Sequence, residues 1–196
     1  MMKRASYIIL CGLTTALVGF GYVRYRDESR RLCDPATLPL SEIRSGDLLF
    51  STGHSFKSDL VRIASRNYRS DCSHVGIIRR CRSDIRVVHM SIDSGVILEE
   101  RLDHFIQNNR SLRIDFGRWP DSIDTLRLNQ VLDSLLKARI AFDYRFDLND
   151  NSKYYCTELI ARTLGKCTLI HSMPATQDPI LYPSALLNHV SIIINH

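Results

Sequence analysis

Five short strand-like runs follow one another between positions 47 and 116: Asp47–Ser51, His74–Ile78, Ile85–Met90, Val96–Leu98 and Leu112–Phe116. Parallel neighbours need a crossover of a dozen or more residues, usually a helix, between each pair. Only one helical stretch interrupts these runs, Phe56–Arg66, where Phe56, Leu60, Val61 and Ala64 share a face. The polar stretch Arg79–Asp84 joins the second and third runs as a hairpin would. Two further helices come late. Ile123–Ala138 carries Leu126, Val131, Leu132, Leu135 and Leu136 at helical spacing, and Cys156–Leu164 is expected to stop at Gly165. Val190–Ile194 reads as a closing strand. The pattern predicts an α+β domain with an antiparallel sheet rather than a doubly wound parallel one.

Ahead of this domain, Ala5–Val23 is a run of residues without a charge. As a helix it nearly matches a hydrocarbon core of roughly 30 Å. It ends in Phe20, Gly21, Tyr22 and Val23 followed by Arg24, a poor cleavage site, and Leu10 before Cys11 is wrong for a lipoprotein signal. The expectation is an uncleaved membrane anchor through residues 5–23, with a cleaved signal second. This divides the chain into an anchor or signal segment at 1–26, a polar linker with Pro35 and Pro39 at 27–45, and a folded domain at 46–196. Lys3 and Arg4 precede the apolar run; Arg24, Arg26, Arg30 and Arg31 follow it. Basic counts alone would put the domain in the cytoplasm, but long domains are translocated largely regardless of charge. The expected location of the domain is the exported side, periplasmic or extracellular.

The net charge of +5 is not a nucleic-acid signal. Lys3, Arg4, Arg24 and Arg26 flank the apolar run and account for most of it. The rest is nearly neutral, whereas a nucleic-acid binder keeps its basic excess on the folded part.

Three residues carry candidate chemistry. Cys156, in KYYCTEL, opens a predicted helix, where unpaired N–H groups and the helix dipole favour an anion. A thiolate there is expected to have a lowered pKa, and the same N–H groups suit an oxyanion. His74, in SHVGII, shares a strand face with Gly76, which leaves room for a group to approach. His89, in VVHMS, lies on the next strand. The two imidazoles share a face when paired residue numbers add to an odd total, as with 74 opposite 89. A hairpin loop with an even number of residues gives that register. His89 can then orient His74, the third role in a nucleophile–base–orienter set.

Four motifs, GDLLFSTG (Gly46–Gly53), SHVGII (Ser73–Ile78), FDYRFDLND…KYYCTEL (Phe142–Leu159) and YPSALL (Tyr182–Leu187), come in an order that resembles the permuted branch of the NlpC-type papain-like cysteine hydrolases, the YiiX/YebB-like group. The resemblance implies a circularly permuted papain-like domain, an antiparallel sheet or partial barrel packed with helices. It implies Cys156 as nucleophile, His74 as base and His89 as the polar third residue, a position where many relatives carry Glu. By position, Tyr155 and Ser73 are expected to support substrate or oxyanion, and Asp47 to support the structure beside the site. Glu158 is given a structural role in the first helical turn. The expected substrates are wall peptides or lipid-like amides or esters, and no cofactor is implied.

Rival readings have their own residues. Cys156, His74 and His89 form an acceptable three-ligand zinc set, although the chain has no HExxH or CxxC. Asp147, Asn149, Asn151 and Glu158 match calcium-loop positions, with Ser152 where Gly is needed. A non-catalytic module of the same fold, binding an acyl chain or wall peptide, belongs to a different class. Cys33, Cys72, Cys81 and Cys167 are available to pair in an oxidising compartment.

Overall fold

The computed structural model describes residues 32–195 apart from 39, 54–57, 59, 60, 62, 64–70, 83 and 169–179. The apolar segment Ala5–Val23 lies outside the described residues, as does most of the helix expected over Phe56–Arg66. Among the described residues no helix is long and apolar enough to cross a membrane.

Among the described residues eight strands form one sheet: β1 (Leu48–Gly53), β2 (His74–Cys81), β3 (Asp84–Ser91), β4 (Val96–Arg101), β5 (Ser111–Arg118), β6 (Ala141–Phe142), β7 (Lys153–Tyr154) and β8 (Ser191–Asn195). Their order is β7-β6-β4-β3-β2-β1-β5-β8. Every pairing is antiparallel except the short β6–β7 pair, so the expected antiparallel sheet is a mixed half-barrel. The β1 run LLFS is apolar and continuous because the strand is central and buried on both faces.

Each face of the sheet has its own core. Leu48, Phe50, Val75, Ile77, Val88 and Met90 pack under two helices, α2 (Thr125–Ala138) and α3 (Cys156–Cys167). On the other face Leu49, Ile78, Val87, Ile114 and Phe116 pack with Phe105 and Ile106 of the short helix α1 (Leu102–Asn108). A fourth helix, α4 (Pro183–Leu187), joins the first core through Ala185 and Leu186. Neither α1 nor α4 was among the predicted elements, although Leu102, Phe105 and Ile106 have helical spacing.

Three expectations need correction. The stretch read as a linker is packed over its second part: Leu38 and Ile43 are buried, Cys33 N donates to Ser111 O, and residues from Leu32 onward belong to the compact unit. Helix α2 starts at Thr125 rather than Ile123, because Asp124 caps it by accepting from Arg127 N, while Ile123 pairs with Thr168. Helix α3 runs through Gly165 to Cys167. One glycine costs a helix only about 1 kcal/mol, too little to end it when the residues on either side are packed. An added Cβ at Gly165 meets nothing within 4 Å. Gly165→Ala should therefore stabilise the protein by about 0.5–1 kcal/mol. A thermal melt showing no rise, or a fall, would contradict that.

Candidate active site

The β2–β3 register decides whether the two histidines meet. Ile77 stands opposite Val88 and Cys81 opposite Asp84, leaving residues 82 and 83 to connect the strands. The paired numbers add to an odd total, so His74 and His89 share a face, as the even-loop argument requires. The register is displaced by two from the 74–89 example: His89 falls across from Gly76, and His74 reaches it diagonally. A Cβ at Gly76 would come within 2.5 Å of Val87 Cγ1 and 3.3 Å of His89 Cβ. The missing side chain at Gly76 is what lets the His89 ring lie against the strand.

His74 Nε2 and His89 Nδ1 are 3.0 Å apart. Phe105 of α1 stacks on the His74 ring at 5.8 Å between centroids and meets His89 edge-on at 4.9 Å. His89 is buried, whereas His74 keeps some exposure. Burial, with the His89 imidazole beside it, pushes the His74 pKa down to about 3. Its imidazole is therefore neutral at physiological pH and able to accept a proton.

Cys156 is the first residue of α3, and no side chain caps that helix end. His74 and Cys156 line one cavity of about 370 Å³ with Ser73, Ile92, Phe142 and Phe146. The thiol departs from expectation. Burial pushes its pKa up to about 11, against the backbone N–H groups of Val75, Thr157 and Cys156 itself, which favour the thiolate. Desolvation of the sulfur outweighs the helix end. Both shifts favour the neutral thiol and the neutral imidazole over a thiolate–imidazolium pair.

The supporting residues divide. Ser73 lines the cavity, accepting from Gly53 N at 3.0 Å and donating to Ser51 O at 3.3 Å, so its hydroxyl holds the end of β1. Tyr155 is buried behind Cys156. Its hydroxyl accepts from Leu181 N at 3.1 Å and its ring packs on Phe146, so it shapes the wall from the second layer. Asp47 is not brought to this cavity. It lines a separate pocket of about 800 Å³ with Arg44, Arg118 and Trp119, and its carboxylate is held by Arg118. Glu158 pairs with Arg162 one turn on in α3, as its structural role requires.

Sequence reasoning passed over Glu100, whose Oε2 lies 3.4 Å from His89 Nε2. It stands beside Glu99 in a strand with polar ends, and nothing local says which carboxylate turns inward. The helical spacing of Leu102, Phe105 and Ile106 in the segment that follows was the available signal.

The rival donor sets do not assemble. Among the described residues no group of three His, Cys, Asp or Glu is arranged to hold a metal. His74 Nε2 and His89 Nδ1 face each other, so neither lone pair is turned to a common ion. In the acidic loop, Asp147 Oδ1 accepts from Asn149, and Glu158 is committed to Arg162. No disulfide joins Cys33, Cys72, Cys81, Cys156 or Cys167, the cysteines among the described residues.

A mixed half-barrel in which a strand-borne histidine precedes a helix-borne cysteine defines a papain-like hydrolase fold in permuted order. The chain belongs to the family of permuted papain-like amidases, YaeF/YiiX, C92, whose model matches residues 42–194. The family is named for amidase enzymes, which makes hydrolysis the general class of its chemistry. A solved structure described as the metalloprotein YiiX from Escherichia coli O157:H7, DUF1105, has a similar fold. Its TM-score is 0.64 at 15% identity, over 78% of this chain and 97% of that one. No curated protein matches.

Proposed function

We propose that the protein is a thiol-dependent hydrolase that cleaves an amide or ester through a Cys156–His74–His89 triad. The observation that carries this reading is the shared cavity of Cys156 and a neutral His74 whose ring is hydrogen-bonded to His89. As the Cys156 sulfur attacks the substrate carbonyl carbon, His74 takes the thiol proton. The oxyanion develops beside the uncapped N–H groups that open α3. The C–N or C–O bond breaks as His74 returns the proton to the leaving group. Water, deprotonated by His74, then resolves the thioester and frees the acid. Val61, Ile92, Phe142 and Phe146 make the cavity wall largely apolar, which favours an acyl chain or apolar side chain next to the reacting carbonyl over a charged one. Lipid-like amides and esters are the preferred substrate class, and wall peptides the second. Residues 5–23 would hold the domain at a membrane, on the exported side.

Alkylation tests both the nucleophile and its resting charge. With a pKa of about 11, Cys156 should react with iodoacetamide at neutral pH about 100-fold more slowly than a free cysteine, the rate climbing with pH through the alkaline range. Peptide mapping by mass spectrometry follows modification at this position, and p-nitrophenyl butyrate hydrolysis should fall in proportion. Hydrolysis that survives complete alkylation of Cys156 would overturn the proposal. A fast, pH-independent reaction near pH 6 would show an ion pair instead.

A further inference from the structure

His89 has a second partner that the triad does not use. Its Nε2 faces Oε2 of Glu100 on β4 at ion-pair distance, 3.4 Å, and both atoms are buried with no hydrogen-bond partner among the described residues. The other oxygen, Oε1, accepts from Asn108 Nδ2 at 2.8 Å. Asn108 belongs to the last turn of α1 and lines the Cys156 cavity. The neighbouring Glu99 differs: it pairs with Arg79 at 3.0 Å and Arg86 at 3.8 Å. The imidazoles of His89 and His104 lie near Glu100, and its pKa is held below the ordinary glutamate value, chiefly by the His89 contact.

Proton counting along this line of groups has one solution when His89 carries a single proton. An ionised carboxylate only accepts, so the proton in the Glu100–His89 contact sits on His89 Nε2. A neutral imidazole carries one proton, which leaves His89 Nδ1 as an acceptor. Its partner at 3.0 Å is His74 Nε2, which must then be the donor. His74 is left with a single lone pair, on Nδ1. Without the carboxylate the line reads equally well in reverse. His89 would donate from Nδ1, His74 would accept at Nε2, and the proton on His74 Nδ1 would block it as a base.

We infer that Glu100 is a positioning residue. Through His89 it sets His74 in the tautomer whose Nδ1 accepts the Cys156 proton, and it supplies the negative charge that a histidine in the third position lacks. The inference rests on the reading of Cys156 and His74 as nucleophile and base. When His74 takes the thiol proton it becomes an imidazolium, and an anion one ring away stabilises that charge.

The test uses the full-length chain, labelled with 15N at histidine, together with p-nitrophenyl butyrate hydrolysis followed across pH. In the unaltered protein the nitrogen spectra should show both His74 and His89 protonated on Nε2. Glu100→Gln should lower kcat/KM by about 10-fold or more, with the loss in kcat rather than KM, and should move the acid limb of the profile to lower pH. Glu100→Asp keeps the charge and should leave the acid limb near its original place. A purely structural role would lower the melting temperature without moving the limb. A His74 proton on Nδ1, or a folded Glu100→Gln protein with the original plateau and limb, would overturn the inference. Should Glu100→Gln fail to fold, the spectra of the unaltered protein decide. Failure of the hydrolase reading shows separately, as hydrolysis persisting after complete Cys156 alkylation, and leaves the tautomer result interpretable.

Discussion

Replacing Cys156 with alanine should remove hydrolysis by roughly four orders of magnitude or more, as loss of the nucleophile does in enzymes whose triad acts as a unit. His74, neutral with its pKa pushed down to about 3, has no thiol proton to take once the sulfur is gone. An activated ester is the sensitive substrate here, because its leaving group needs little protonation and any residual catalysis would appear. The fold should survive. Cys156 is only partly buried at the edge of the first core, and the change removes one sulfur atom. That costs about 1 kcal/mol or less by area, so the melting temperature should move by only a few degrees. More than a tenth of the original rate in a folded Cys156→Ala protein would mean that another group attacks the substrate.

Asp47→Ala should produce the opposite pattern, a large loss of stability with turnover per folded molecule unchanged. The carboxylate accepts from Arg118 Nε at 2.8 Å and Nη2 at 2.7 Å, and from Arg44 N at 2.7 Å, while the residue itself is only 2% exposed. Its backbone carbonyl accepts from Ile78 N. The side chain therefore ties the start of β1 to the end of β5 and to the turn before it. Truncating one partner of a buried ion pair costs about 3–5 kcal/mol. Arg118 is 35% exposed and regains water, which reduces the expected loss to about 2–3 kcal/mol. For a domain of this size that is a fall of about 5–10 °C in melting temperature. Denaturant unfolding beside kcat measures both halves. A drop in kcat without a drop in stability would return Asp47 to the catalytic site.

The two variants separate what could be read along the chain from what could not. The strand runs, the late helices and the places of Cys156, His74 and His89 were legible because they rest on period and local order. The parity of the two histidines was legible only as a condition: side chains alternate along a strand, but the two-residue connection that sets the register came from the structure. Asp47 was misplaced because GDLLFSTG reads as one motif, although its ends lie at opposite ends of β1. Its first residues face the Arg118 pocket, and Gly53 lines the Cys156 cavity. Glu100 was missed because the pleat sends Glu99 and Glu100 to opposite faces, and only the folded protein gives Asn108 of α1 and His89 to one face and two arginines to the other.

The thiol shows the boundary most clearly. From the chain alone, Cys156 stands at a helix start, and that is correct; the dipole argument built on it favours a thiolate. Only the folded protein surrounds the sulfur with β2 and the cavity wall, raising its pKa to about 11. Helix formation and strand alternation depend on neighbours within a few positions, so one chain specifies them. Desolvation depends on every group that excludes water, and those come from positions 51 to 156 at once. Tertiary packing therefore decided the resting charge of the site.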